Sequence, residues 1–233
     1  AIDLDYCREA GIAVSGTVNS AQATPELAWG MMLTLARNIH IENDRMRGGT
    51  WITTLGTDLQ GKTLGILGLG RLGQKMAQVA HVFDMDVIAW SANLTDEAAA
   101  EHGVRRVGKE ELFQASDFLT IHYKLGDRSR GLVGAAELSL MKPTAFLINT
   151  SRGPIVDTDA LIAALNAGTI AGAGVDVYDL EPLAPDAPIR QAPNCILTPH
   201  LGYVTDGVYK SFYGQMVESI SAWLAGNPIR VLT

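Results

Sequence analysis

Apolar positions in this chain fall into short runs separated by stretches of helical spacing, and the alternation is clearest from Thr63 onward. Candidate strands are Thr63–Leu67, Asp86–Trp90, Phe118–His122, Ala145–Thr150, Ala173–Val177 and Cys195–Thr198, with a weaker one at Val104–Val107. Between them, helices are expected at Arg71–Phe83, Thr95–His102, Lys109–Ala115, Ala135–Met141 and Asp157–Ala167. Such alternation predicts an α/β fold with a doubly wound parallel sheet, covered by helices on both faces. Ahead of it, Asp3 caps a short helix to Ala10, Gly11 stops it, and Ile12–Val14 reads as a brief strand. Pro25 suits the first turn of one long helix to Arg47, with Leu27, Ala28, Met31, Met32, Leu35, Ile39 and Met46 at helical spacing. Trp29, Met31 and Met32 serve equally well as core or in a dimer or interdomain contact. Gly48-Gly49 ends that helix, Trp51–Gln60 reads as loop, and Thr205–Ala225 is a final helix closed by Gly226-Asn227-Pro228.

The first strand of the alternating region runs into Gly68-Leu69-Gly70-Arg71-Leu72-Gly73 and leaves into a helix. A G-x-G-x-x-G pattern in that context fits a dinucleotide site. The first glycine allows the turn, the second lets the backbone approach a pyrophosphate, and the third lets helix pack on strand. Free N–H groups and the dipole at the helix start favour the diphosphate charge. A second glycine motif is a decoy: Gly56 to Thr63 matches the P-loop expression G-x-x-x-x-G-K-T. A P-loop needs a strand before it and a helix after its lysine, whereas here loop precedes and strand follows.

Composition narrows the function classes. With 233 residues and 47% hydrophobic content the chain can build a sizeable core, and a net charge of −7 gives no general attraction to nucleic acid or anionic membrane. The most apolar helix, around Leu27–Ala36, is too short to span a bilayer. Cys7 and Cys195 stand far apart with no metal or redox spacing, so no metal is expected and a cytoplasmic location is.

Three charged residues follow consecutive candidate strands: Arg152, Glu181 and His200. In an open parallel sheet ligands sit outside the carboxyl ends of the strands, so the three could surround one crevice. A guanidinium holds a carboxylate with paired N–H bonds, an imidazole exchanges a proton with a carbonyl oxygen, and a glutamate beside the ring fixes its orientation. Each also has a plainer reading: Arg152 in a surface turn, Glu181 solvated before Pro182, His200 satisfied at a strand end. His122 also ends a strand but lacks a comparable carboxylate partner in its own loop, which suits packing near a cofactor. Ribose recognition usually calls for an acid about twenty residues beyond the glycines; Ser91 stands there instead, so NAD and NADP both remain open, with a lean to NAD.

Together these motifs resemble those of the D-isomer-specific 2-hydroxyacid dehydrogenases. The match runs through Gly68–Gly73, Ile148-Asn149-Thr150-Ser151-Arg152-Gly153, Gly174-Val175-Asp176-Val177-Tyr178, Glu181-Pro182-Leu183 and Thr198-Pro199-His200-Leu201-Gly202. The resemblance implies a Rossmann-type NAD(P)-binding domain over residues 21–204. Residues 1–20 and the returning C-terminal segment 205–233 would be remnants of a flavodoxin-like substrate domain whose earlier part is missing. It implies hydride transfer between NAD(P) and a small 2-hydroxy or 2-keto acid, in a homodimer formed through the cofactor domain. Arg152 would bind substrate carboxylate, His200 would be the acid/base and Glu181 its partner. Arg71 and Leu72 would lie at the pyrophosphate and Asp176 at the nicotinamide, with Thr150 and Gly202 also lining the cofactor. The alternative is a dimeric nucleotide-binding module without turnover, either a truncated enzyme or a corepressor-like sensor.

Overall fold

A computed structural model describes residues 2–18 and 22–233. The elements run α1 (Leu4–Glu9), α2 (Ala23–Ala36), α3 (Ile39–Arg47), β1 (Thr63–Leu67), α4 (Arg71–Val82), β2 (Asp86–Trp90), α5 (Asp96–Ala100), β3 (Arg105–Arg106), α6 (Lys109–Ala115), β4 (Phe118–Ile121), α7 (Ala135–Leu140), β5 (Phe146–Asn149), α8 (Thr158–Asn166), β6 (Gly172–Val175), β7 (Cys195–Leu197) and α9 (Asp206–Leu224). Two compact units divide the chain: residues 24–202, and residues up to 23 with 203–233.

In the larger unit seven strands form one sheet in the order β3-β2-β1-β4-β5-β6-β7, parallel at every pairing. Successive side chains on a strand point to opposite faces, and here both faces are buried. Leu64, Ile66, Val87, Ala89, Phe118, Phe146 and Ile148 face one apolar cluster with α2 and α4. Leu67, Ile88, Leu119, Ile121, Leu147, Ala173 and Val175 face another with α6, α7 and α8. Registered neighbours Phe118 and Phe146 stack with centroids 5.4 Å apart. Phe118 is fully buried, and truncating such a side chain to alanine costs about 3–5 kcal/mol. Because β2 lies on one side of β1 and β4 on the other, chain direction across the sheet reverses at β1. The crevice outside that point is where ligands of such sheets bind.

Two expectations are corrected and one open alternative is decided. The single helix from Pro25 to Arg47 is two, because Asn38 takes a left-handed conformation (φ 52°) and its side-chain amide donates to the Leu55 carbonyl at 3.0 Å. Asparagine tolerates that region better than most residues, and the bond to Leu55 holds it there. Trp29, Met31 and Met32 belong to the core, at 6%, 3% and 0% exposure, and so are not a surface for a second copy. Ile12–Val14 is not a strand; the nearby pairing is an isolated antiparallel bridge between Ser15 and Val231. That bridge lies in the smaller unit, where α9 and α1 also fall. Gln215 on α9 bonds both the N–H and the carbonyl of Val18, and Arg230 bonds the Gln215 carbonyl and Glu218. No described helix is long and apolar enough to cross a membrane.

Candidate active site

β1 ends at Leu67 and the chain turns sharply at Gly68, whose φ of 100° favours glycine. A Cβ on Gly68 would come within 2.6 Å of the His122 carbonyl oxygen, and one on Gly73 within 2.2 Å of the Gly68 carbonyl oxygen. These two glycines let β4 and α4 close onto the turn. Gly70 differs: a Cβ there would meet no protein atom within 4 Å. Packing therefore does not require its bareness, whereas a ligand resting on the backbone would. Gly70 is also the N-cap of α4 and supplies no side-chain cap, so the first amides of the helix face the crevice without an internal acceptor. Arg71 opens the helix and is exposed. Leu72 lines a pocket of about 360 Å³ with His122, Tyr123, Lys124, Leu125, Ser151 and Arg152. Two buried polar atoms at this end of the sheet, Thr150 Oγ1 and His122 Nδ1, have no hydrogen-bond partner. Open backbone at Gly70, uncapped amides and two buried polar atoms awaiting partners fit a nicotinamide dinucleotide.

Arg152, Glu181 and His200 follow β5, β6 and β7, which are neighbours in the sheet, and the structure brings them together. His200 Nδ1 and Glu181 Oε2 are 2.6 Å apart. The other Glu181 oxygen accepts the Tyr178 backbone N–H at 2.9 Å. Desolvation pushes the Glu181 carboxyl upward, but the His200 and Tyr178 hydrogen bonds and the nearby His200 and Arg152 charges outweigh it, so its pKa is lowered. Arg152 is exposed, with Nη1 donating to the Ser151 carbonyl at 2.6 Å. Its loop is fixed by Asn149, whose amide donates to the Arg152 carbonyl while its oxygen accepts the Ser151 N–H.

Asp176 directly follows β6 as a fully buried acid. Its Oδ1 accepts from Thr198 Oγ1 at 2.5 Å and the Leu201 N–H at 2.7 Å, and its Oδ2 accepts from the Gly202 N–H at 2.9 Å. The Asp176 carbonyl accepts the His200 N–H at 2.9 Å. Three successive amides thus converge on one aspartate, and His200 sits among them with φ of 55°. Gly202 is closed in from the other side, its carbonyl accepting from Thr24 Oγ1 at 2.9 Å.

His122 is held apart from this group. Its Nε2 pairs with Thr120 Oγ1 at 2.9 Å, and burial pulls its pKa down to about 4, so the ring is neutral near pH 7. Ser91 follows β2 and is half-buried. Lys62, in the P-loop look-alike, leads into β1 and not into a helix.

Sequence reasoning missed two supports, both tyrosines. The Tyr178 hydroxyl donates toward the Thr198 and Val175 carbonyls at 2.9 and 3.2 Å, and burial with the Asp176 charge pushes it up to about 12. Tyr123 stacks on Trp90 at 6.2 Å and accepts the Ala92 N–H at 3.2 Å. Tyr123 follows a strand outside every motif, and Tyr178, although it closes the Gly174–Tyr178 motif, carries no sign in sequence of the carbonyls its hydroxyl meets.

The family model described as "D-isomer specific 2-hydroxyacid dehydrogenase, NAD binding domain" matches residues 29–202. The chain is 40% identical to a glyoxylate reductase of Aeropyrum pernix over 236 residues, covering 97% of this chain and 70% of that protein. Among solved structures, a phosphoglycerate oxidoreductase from Vibrio cholerae superposes with a TM-score of 0.91 at 34% identity, over 97% of this chain and 73% of the other. A D-lactate dehydrogenase from Aquifex aeolicus, complexed with NAD and lactic acid, gives 0.85 at 29% identity, over 98% and 76%. The chain belongs to the D-isomer specific 2-hydroxyacid dehydrogenase family, with residues 29–202 forming its NAD-binding domain.

Proposed function

We propose that Arg152, His200 and Glu181 carry out the acid–base half of a hydride transfer on a small 2-hydroxy or 2-keto acid. The protein is an NAD(P)-dependent oxidoreductase acting on a CH–OH group. The observation that carries the residue assignment is the 2.6 Å pairing of His200 with Glu181, close enough to Arg152 for its charge to act on Glu181. The cofactor supplies or accepts the hydride. Arg152 holds the substrate carboxylate through its guanidinium fork. With Nδ1 committed to Glu181, His200 delivers a proton from Nε2 to the substrate carbonyl oxygen as hydride reaches the adjacent carbon, and takes it back in the reverse direction. Glu181 fixes the ring and compensates the imidazolium charge. We assign Asp176 to positioning the His200–Gly202 turn, and Gly68, Gly70, Arg71, Leu72, Gly73, Ser91, His122, Thr150 and Gly202 to the walls of the cofactor site.

Glyoxylate is the first substrate to try, since similar proteins from Aeropyrum pernix and Thermococcus litoralis are glyoxylate reductases. His200→Ala is expected to lower turnover by about 10²–10⁴-fold, the usual share of a general acid, and Arg152→Ala to raise KM. Unaltered turnover and KM would refute the assigned roles.

The same reading includes a homodimer, a cytoplasmic location consistent with two free thiols, and a substrate-domain origin for the smaller unit. With Trp29, Met31 and Met32 in the core, the dimer face falls on α3 and the loop after it. Ile39, Met46, Trp51 and Ile52 are 52–73% exposed around one pocket of about 580 Å³, and clustered exposed apolar side chains mark candidate interaction surfaces. Trp51→Glu should shift sedimentation from dimer to monomer; an unchanged profile would exclude this face.

A further inference from the structure

We infer that Tyr178 is a positioning residue for Arg152, Glu181 and His200 together, since it meets the chain at each of the strand ends that carry them; this rests on the reaction proposed above. Those residues follow β5, β6 and β7, and Tyr178 stands on the middle strand, just past its end. Its backbone N–H donates to Glu181 Oε1 at 2.9 Å, while Glu181 Oε2 meets His200. The carboxylate that orients the imidazole is thus itself held by the main chain. On the β5 side, the Tyr178 peptide lies against Gly153, the residue after Arg152. A Cβ on Gly153 would stand 2.1 Å from the Tyr178 carbonyl carbon and 2.4 Å from its oxygen. Carbon atoms need about 3.5 Å, and backbone has no rotamer with which to yield. The bareness of Gly153 therefore lets the Arg152 loop close onto Tyr178.

The third contact is made by the side chain. The Tyr178 hydroxyl donates toward the Thr198 carbonyl at 2.9 Å and the Val175 carbonyl at 3.2 Å, and Thr198 stands two residues before His200. Neither carbonyl depends on it for a partner. That of Val175 also accepts the Thr198 N–H at 3.0 Å, and that of Thr198 the His200 N–H at 3.1 Å. A carbonyl oxygen has two lone pairs, so the hydroxyl adds a second bond to groups already satisfied. What it supplies is a cross-tie between the ends of β6 and β7, placed just before His200 takes its left-handed φ of 55°. Asp176 holds the same turn from beyond, through the Leu201 and Gly202 amides. The ring of Tyr178 packs against the apolar cluster on the α6–α8 face, which keeps the hydroxyl from swinging away. Phenylalanine would fill that space equally well, so the tie can be removed without removing the packing.

The test is an NMR titration of the His200 ring in the unaltered chain and in Tyr178→Phe, the signal being assigned by its loss in His200→Ala. A carboxylate that meets Nδ1 less squarely favours the imidazolium less. The His200 pKa should therefore fall by about half a pH unit in Tyr178→Phe, while NADH affinity changes by less than about twofold. Gly153→Ala should lower it as well and, by moving Arg152, raise KM for the keto acid. Tyr178→Phe decides the question, because both carbonyls keep a donor in it. An unmoved His200 titration in that variant would overturn the inference. A loss of nucleotide affinity as large as the loss of proton affinity would mark a general loosening of the strand ends and overturn it too. Turnover of glyoxylate keeps the two readings apart. Unaltered turnover in His200→Ala would remove the proposed reaction, and the inference with it. Lost turnover there, with an unmoved titration in Tyr178→Phe, would remove the role of Tyr178 alone.

Discussion

Gly70 and Gly73 lie three residues apart in one turn, yet an added methyl should act on different properties at the two. At Gly70 the backbone (φ −83°, ψ −165°) suits any residue, and a Cβ would have no neighbour within 4 Å. Gly70→Ala should therefore change folding stability by no more than about 1 kcal/mol, the net of a poorer N-cap and a stiffer unfolded chain. If a diphosphate rests on this backbone, as proposed, the methyl stands in its way. Losing one charge-assisted hydrogen bond there costs about 1.5–3 kcal/mol, a fall in nucleotide affinity of roughly 10- to 150-fold. At Gly73 the same methyl would lie 2.2 Å from the Gly68 carbonyl oxygen and 3.0 Å from Ile66 Cγ2. A carbon needs about 3.3 Å from such an oxygen, so α4 must back away from β1 by roughly 1 Å. Overpacking of this kind costs about 1–3 kcal/mol. Urea unfolding and NAD(P)H titration of both variants separate the two effects. A Gly70→Ala protein that unfolds far more easily, or that binds nucleotide as the parent does, would refute the division of labour drawn here.

Asp176→Asn turns an amide NH2 toward a backbone N–H whichever way the side chain is placed, since Leu201 and Gly202 donate to different oxygens. Turnover should fall by at least about tenfold while nucleotide affinity changes by less than about threefold; an affinity loss matching the loss of turnover would instead put the carboxylate on the cofactor. His122 bears on stability, because burial lowers its pKa from 6.5 to about 4. The unfolded chain takes up a proton that the native chain refuses, so this contribution is complete above about pH 6.5 and shrinks by roughly 3 kcal/mol as pH falls to about 4. Urea unfolding at pH 7 and pH 4.5 should show a shallower decline for His122→Gln, and equal slopes would dismiss the histidine as the cause.

The parallel sheet was readable because each strand is a short apolar run buried on both faces, and β1 and β2 keep the limits their composition suggests. His122 and Thr150 fall just outside β4 and β5, since nothing in an apolar run says where its last ladder bond is made. The break at Asn38 was hidden because the apolar spacing continues through it, while its cause, the Leu55 carbonyl, lies in a loop. The Ser15–Val231 bridge joins opposite ends of the chain, so a local strand signal at Ile12–Val14 could not reveal it. At the site, residue types and strand ends made Arg152, Glu181 and His200 candidates. That the three lie side by side depends on the order β5-β6-β7, which no local pattern carries. The convergence of three amides on Asp176 is a backbone feature, and sequence contains no trace of it.

The seam between β1 and β4 has a bearing on how the molecule assembles. On either side of it, strands adjacent in the sheet are also successive in the chain, so each bank can form from nearby segments. The seam itself pairs Leu64 with Phe118 across all of β2 and β3, and closing so long a loop delays the contact. Gly68 packs against His122 from the far bank, so the glycine turn takes shape only as the two banks join. Acquisition of nucleotide affinity during refolding should then lag behind helix formation. Added nucleotide would hold finished molecules in place without hastening their arrival.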